Sequence, residues 1–398
     1  MKGFVIIQYL IRQKMASIIF FSVVILVYGL ANYYIFIRDL QALPFEGLLR
    51  IGYIVVFWAL ALTFVAGRIL ERVWLGPFSD VLVWIGSFWL GAMLYFFLIT
   101  LLFDILRLVN AVFHILPPDL NGRLPLLRPW LLSGSILVVF LLLTAGFINA
   151  INPHIKTVNI HIQKNAGGLT TLNAVLMSDL HLGTIMSNDR LENIVRKAND
   201  LNPDIILLAG DILDEDLAPV IRQNLGYSLK NLEAKLGVFG VMGNHEYIGG
   251  SEPAYRYLSG HGVLVLRDSV VKIAESFYLI GREDFQKRQF VGRDRKPLDS
   301  LMQSVNTDFP VFVLDHQPFH PDSAARSGVD LMLSGHTHHG QLWPINFITR
   351  AIYVVSHGYS KIENMHLFVS NGVGTWGPPI RIGNRPEIVQ LKIKFGVE

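Results

Sequence analysis

Five mostly apolar runs of strand length each end in residues that carry a carboxylate, an amide or an imidazole. Leu172 to Met177 leads into Ser178-Asp179-Leu180-His181; Pro203 to Ala209 leads into Gly210-Asp211, with Asp214 close behind. Gly237 to Met242 leads into Gly243-Asn244-His245-Glu246, Pro310 to Asp315 into His316-Gln317-Pro318, and Val329 to Ser334 into Gly335-His336-Thr337-His338. Runs of this kind suit strands of a parallel sheet buried on both faces. In an open α/β sheet the carboxyl ends of the strands face the ligand crevice. The expectation is one edge of one sheet on which these side chains collect. Imidazole and carboxylate donors together suit Mn, Fe or Zn better than Ca or Mg.

The amino-terminal part of the chain obeys a different rule. Of the 398 residues, 52% are hydrophobic and only 16% charged, too apolar for a purely water-soluble protein. Residues Ala16 to Ile37 carry no charge and, at about 1.5 Å per residue, cover a hydrocarbon core of about 30 Å. Lys2, Arg12 and Lys14 precede this run, as in a secretory signal peptide. The run is too long for that reading and ends in Tyr33-Tyr34-Ile35-Phe36, so an uncleaved anchor is expected. Further spans are expected over Ile51 to Gly67, Val81 to Phe103 and Trp130 to Ala150, giving a four-helix transmembrane region over 1–153.

Four spans put both termini on one side of the membrane. That side carries Lys2, Arg12, Lys14, Arg68, Arg72, Lys156 and Lys164, against Arg38, Arg50, Arg107, Arg123 and Arg128 opposite. The excess favours a cytoplasmic catalytic domain in a multi-pass protein of the inner (plasma) membrane; failure of the second, shortest span to insert would invert it. The expected spans contain no charge, so anchoring is favoured over transport. A net charge of +3 with no basic cluster argues against nucleic-acid binding, and the absence of cysteine removes disulfide and thiolate chemistry.

Past Pro153 the apolar runs shorten and charged residues become frequent, which marks a second domain over 154–398. Leu191, Ile194, Val195 and Ala198 trace the stripe of a helix between Asp189 and Leu201, joining two strands as a βαβ unit. Helices are also expected over Ala218 to Ala234 and Glu252 to Gly260, and short antiparallel strands over Val263 to Ile280.

The motifs D-x-H at Asp179 and His181, G-D-x-x-D at Asp211 and Asp214, G-N-H-E at Asn244 and His245, the isolated His316, and G-H-x-H at His336 and His338 resemble the calcineurin-like metallophosphoesterases. Gly340-Gln341 and the closing segment Gly372 to Arg381, then Asn384 to Ile388, resemble a membrane-associated bacterial branch of that family. The resemblance covers about residues 170–398. It implies an α/β fold, a two-sheet β-sandwich flanked by helices, and two divalent metal ions (Mn, Fe or Zn) with a metal-bound hydroxide as nucleophile. One metal would take Asp179, His181, Asp211 and His338, and the other Asp211, Asn244, His316 and His336. Asp211 would bridge, for which both carboxylate oxygens need to be exposed. Asn244 is a neutral donor that leaves the Lewis acidity of its ion intact. His245 is the expected general acid or phosphate stabiliser, oriented by Asp214.

The remaining histidines have plainer roles. His154, His161, His261, His320 and His366 are expected to be structural, His339 to face substrate or solvent, and His357 to sit in the pocket wall. Arg381 and Arg385 are expected either to clamp a phosphate or to form structural salt bridges. A phosphoric ester or pyrophosphate is the expected substrate, lipid-linked if the anchor has a purpose beyond localisation. The resembling family includes UDP-2,3-diacylglucosamine hydrolases of lipid A synthesis. The alternatives are a phosphodiesterase or phosphatase acting on soluble nucleotides or phosphoproteins, and a non-catalytic membrane scaffold.

Overall fold

The computed structural model describes the backbone of residues 2–44 and 46–396, and side chains within it other than those of residues 2–18, 20, 21 and 118–125. The charges expected to flank the membrane at Lys2, Arg12, Lys14 and Arg123 thus lie outside the described side chains. The chain divides into two compact units, Met1–Thr144 and Ala145–Glu398.

Four long helices account for residues up to 150: α1 (Lys2–Ala42), α2 (Gly47–Val73), α3 (Pro77–Phe113) and α4 (Pro118–Ala150). Each contains a stretch long and apolar enough to cross a membrane, namely Ser22–Ala42, Gly47–Val73, Pro77–Phe113 and Leu126–Ala150. The second is 27 residues long, well beyond the Ile51 to Gly67 expected. Helices of this length also take in charges that the shorter expected spans excluded. Arg38 pairs with Asp104 at 2.9 Å and Arg68 with Glu71 at 3.3 Å. Tyr53 donates a hydrogen bond to Asp39. Each of these charges has a partner on its own or an adjacent helix, which lowers the cost of holding it away from water. Gly67 and Gly86 let α2 and α3 touch, since a Cβ on Gly86 would come within 2.4 Å of the Phe64 backbone.

The second unit contains two six-stranded sheets. With β1 (His154–Ile162), β2 (Thr171–Met177), β3 (Ile205–Ala209), β4 (Val238–Val241), β5 (Leu264–Val265), β6 (Ser269–Ile273), β7 (Phe277–Gly281), β8 (Val311–Leu314), β9 (Leu331–Ser334), β10 (Gly358–Ile362), β11 (Met365–Val369) and β12 (Glu387–Phe395), the orders are β1-β12-β2-β3-β4-β5 and β10-β11-β9-β8-β7-β6. The strands read as continuous apolar runs, β3, β4, β8 and β9, are buried at every position. β1 and β12 bury alternate residues over part of their length. Burial on both faces requires cover on both sides, so the sheets pack on each other and carry helices outside. Leu176, Leu207, Phe239, Leu279, Phe312, Leu333, Phe368 and Leu391 form the core shared by the two sheets. The outer face of the first sheet packs on α5 (Asn188–Asn199) through Leu191, Ile194, Val195 and Ala198, the expected stripe. β2 and β3 pair in parallel on either side of α5 in the chain.

Two expectations fail here. The helix expected over Ala218 to Ala234 is instead two short ones, Leu217–Arg222 and Leu225–Leu229, broken where Asn224 adopts φ 54°. Of the strands expected to be antiparallel, β6 and β7 are, while β5 leaves them and pairs in parallel with β4. The strand ends also come from both sheets and not from one edge of one sheet: β2, β3 and β4 belong to the first, β8 and β9 to the second. Short runs fully buried on both faces do not disclose which sheet they join.

Phe312 has no exposed surface and packs on Phe277 with ring centroids 4.7 Å apart. Phe312→Ala is expected to destabilise the second unit by about 3–5 kcal/mol, read as a lowered Tm of the full-length protein in detergent. Ile221→Ala, at an exposed position, should leave Tm nearly unchanged.

Candidate metal centre

Three of the five motif loops, those after β2, β3 and β9, leave their strand by a sharp left-handed turn. Asp179, His181, Asp211, His336 and His338 have φ of 53°, 49°, 49°, 70° and 45°. Such a backbone costs roughly 1–2 kcal/mol per non-glycine residue. Hydrogen bonds between loops hold it in place: Asp179 N donates to Gly210 O, His181 N to Asp211 O, and Gly335 N to His316 O. The loops therefore form one laced platform.

Glycines set how closely that platform packs. A Cβ on Gly335 would stand 2.4 Å from Asp179 Oδ2, and one on Gly243 2.2 Å from Asp211 Oδ1. Both positions thus need glycine for the carboxylates to sit where they do.

Eight of the nine residues expected in the site come together, and Asn244 lies next to His245 in the chain. The Nε2 atoms of His181 and His338 are 3.0 Å apart, and His338 Nε2 is 3.4 Å from Asp179 Oδ1. His316 Nε2 lies 3.0 Å from Asp211 Oδ2, which is also 3.9 Å from His181 Nε2. Three groups each bring their donor atoms within 4.8 Å of one another: Asp179, His181 and His338; His181, Asp211 and His245; Asp211, His316 and His336. Cations bound at about 2.0–2.2 Å hold neighbouring donors roughly 3–3.5 Å apart, so this spacing suits shared ions. Asn244 Oδ1 is buried with no hydrogen-bond partner, an orphaned acceptor that a cation would satisfy.

Hydrogen bonds fix how the donors are presented. His316 Nδ1 faces the carbonyl of Ala209 at 2.7 Å and so carries the proton, which aims Nε2 at the site. Both oxygens of Asp179 accept from His336 N. Asp211 differs from expectation: its Oδ1 accepts from His245 N at 2.9 Å, and Oδ2 alone faces His316 and His181. The turn that starts the helix at Asn244 supplies that amide, so Oδ2 is the oxygen Asp211 would offer to a cation.

The electrostatics divide the imidazoles into charged and neutral groups around the buried carboxylates. Burial raises the Asp211 carboxyl, but His316, His245 and His181 outweigh it and hold the group well below the usual range. Burial and the neighbouring imidazoles push His336 down to about 3 and His338 well below its ordinary value, leaving both neutral. For His245 burial lowers the imidazole, yet Asp211 and Asp214 prevail and raise it to about 9. Asp214 Oδ1 stands 3.2 Å from His245 Nδ1. The His245 ring meets that of His181 edge to face at 4.6 Å and that of Trp376 at 5.8 Å.

Behind these groups lies a layer that motif reading did not resolve. Arg381 is 1% exposed and its guanidinium is engaged by groups of the protein itself. It donates to Gly372 O, Gly374 O and Asn384 Oδ1, and its Nη2 packs 3.1 Å from His338 Nδ1. The final turns of α4, which belong to the second unit, grip the same segment: Arg381 N donates to Gly146 O, and Asn149 Nδ2 to the carbonyls of Arg381 and Asn384. Asn384 Nδ2 in turn donates to His338 O. Gln341 ties the loop after G-H-x-H to the closing segment, donating to Trp376 O and Pro378 O and accepting from Trp376 N. Asp315, fully buried beside His316, is held between Arg282 and Arg295.

Other histidines are placed as follows. His154, His161, His261 and His366 have a ring nitrogen within hydrogen-bond distance of a backbone carbonyl, while His320 precedes the helix Pro321–Arg326 with φ 54°. His339 does not face solvent. It is buried and stacks on His357 with centroids 3.6 Å apart. Arg385 is exposed.

Strand ends of a two-sheet sandwich that gather buried carboxylates, imidazoles and an orphaned amide oxygen define a metal-dependent hydrolase of the phosphoesterase kind. Residues 172–340 match the family described as calcineurin-like phosphoesterase. An uncharacterized metallophosphoesterase of Helicobacter pylori is 32% identical over 279 residues, 69% of this chain and 73% of that one. One from Campylobacter jejuni is 30% identical over 395 residues, 96% and 99% of the two chains. A Bos taurus protein named transmembrane protein with metallophosphoesterase domain is 31% identical over 281 residues, 67% of this chain and 62% of its own length. The chain belongs to the calcineurin-like metallophosphoesterase family and is a phosphoester hydrolase.

Gly335→Ala forces a methyl group against the Asp179 carboxylate and should sharply reduce bound metal per chain, measured by elemental mass spectrometry. Gly168→Ala, with open space around its Cβ position, should leave the content unchanged.

Proposed function

We propose that two divalent cations bind side by side here, one held by Asp179, His181, Asp211 and His338, the other by Asp211, Asn244, His316 and His336. The observation that carries this reading is the convergence of imidazole and carboxylate donors, with the closest pairs 3.0 Å apart, together with an unsatisfied buried oxygen on Asn244 beside His245. When bound, such cations supply Lewis acidity: they lower the pKa of water and offset the negative charge of a phosphoryl group. Asp211 Oδ2, which faces both His181 and His316, would be available to both sites. Asn244 contributes an oxygen without adding charge.

His245 donates the proton to the leaving-group oxygen. Its Nδ1 is engaged by Asp214, which leaves Nε2 as the donor and sustains the imidazolium form. Trp376, half exposed beside His245, supplies an apolar wall for the departing group.

The substrate in this reading is a lipid-linked phosphoester or pyrophosphate. Only Ile151 to Pro153 separate the end of α4 from β1, so the catalytic unit stays close to the bilayer whose lipids it would use. The flanking charges favour the cytoplasmic side of the plasma membrane. A UDP-linked diacylated sugar fits both the location and the chemistry.

His245→Gln in the full-length protein should lower kcat about 100-fold or more while metal content stays at the wild-type level. Loss of metal would instead place His245 among the ligands. Removing metal with a chelator should abolish turnover of bis-para-nitrophenyl phosphate and lower Tm, and Mn should restore both. Comparing that diester with para-nitrophenyl phosphate, soluble nucleotides and a panel of phospholipids separates diester from monoester and lipid from soluble substrates. Activity confined to soluble nucleotides would remove the lipid reading.

A further inference from the structure

Immediately after the G-H-x-H motif the chain changes character. From Gly340 to Ser360 it carries one charged residue, Arg350. Within that stretch Trp343, Phe347, Ile348, Ile352 and Val354 are between 51% and 73% exposed, on and around the helix Asn346–Ile352. Elsewhere in the second unit exposed large apolar residues such as Ile221, Tyr227 and Leu264 are spread along the chain. Five within twelve positions make a patch, and a patch of this kind marks an interaction surface.

The patch adjoins the metal centre. A Cβ on Gly340, two residues past His338, would lie 2.4 Å from Asn346 N, so the helix rests directly on the motif turn. The half-buried Tyr353 turns inward and meets the His336 ring with centroids 6.1 Å apart.

We propose that Trp343, Phe347, Ile348, Ile352 and Val354 are a bilayer-docking surface that dips into the headgroup region and holds the metal centre at the membrane. Three observations select a lipid surface over other occupants. The tether from α4 to β1 is only three residues long, so a bilayer is always within reach. The stretch combines tryptophan and aliphatic side chains with a lone exposed cation and no carboxylate, the composition of an interfacial segment facing anionic lipids. A second copy docking symmetrically through so short a helix would bring two Arg350 side chains together. The functional meaning rests on the lipid-linked reading above: a headgroup would reach the metals without its acyl chains leaving the bilayer.

The absence of native cysteine permits single-cysteine labelling. Phe347→Cys, Ile352→Cys and, as a control, the exposed Ile221→Cys in the full-length protein are labelled with an environment-sensitive fluorophore. They are then placed in nanodiscs of phosphatidylcholine and phosphatidylglycerol with brominated acyl chains. Quenching at 347 and 352 but not at 221 is expected. Lack of quenching at 347 and 352 overturns the proposal, and protection of those labels from aqueous iodide would then assign the face to a protein partner or a second copy.

A double variant, Phe347→Asp with Ile352→Asp, should keep the turnover of bis-para-nitrophenyl phosphate and lose about tenfold or more on phosphatidylglycerol in vesicles. An equal loss on both substrates overturns a docking role. Quenching at 347 in a protein that hydrolyses no lipid would leave the docking surface standing and remove the lipid substrate.

Discussion

Two carboxylates with almost no exposed surface, Asp179 and Asp211, stand within reach of the same imidazoles at one end of a β-sandwich. Burying one such group is costly, and burying two near each other is tolerable only where positive charge is supplied. Imidazolium protons offer part of that compensation; a pair of divalent cations offers more. Neutral His336 and His338, the paired His316 and Asp211, and the unsatisfied oxygen of Asn244 are features of a pocket whose donors suit cations.

That arrangement is uphill for the backbone. Five of the residues that converge there sit in left-handed conformations, so the loops hold their shape only through contacts made elsewhere. The strands behind them are buried on both faces and deliver the loops from fixed positions. Gly335 and Gly243 allow the carboxylates to press against neighbouring loops, and Arg381 satisfies the carbonyls of the closing segment behind His338. The last residues of α4 bond to that segment through Asn149, so the helix end is part of the scaffold that supports His338.

Much of this was legible in the order of residues. Apolar runs ending in Asp179, Asp211, Asn244, His316 and His336 marked strand ends because burial on both faces leaves no polar alternation, and the ends correspond to β2, β3, β4, β8 and β9. The stripe Leu191, Ile194, Val195, Ala198 marked α5 for the same reason at helical period. Four long apolar stretches marked the helices, although their ends extend past the uncharged segments because paired charges such as Arg38 with Asp104 are tolerated there. The position of Asn224 in a left-handed turn, which divides one expected helix, had no comparable signal.

The sequence by itself determined the element types and the chemistry of the donors, since hydrophobic period and side-chain identity are local properties. Only the tertiary structure decided that the strand ends come from two sheets, that Asp211 offers one oxygen and gives the other to His245 N, and that Arg381 is buried on the carbonyls of Gly372 and Gly374. It also decided that Gln341 and Trp376 meet, and that His339 stacks on His357 under cover. Each of these is a contact between residues distant in the chain, chosen by which packing satisfies every buried donor and acceptor at once, and no local pattern encodes that choice.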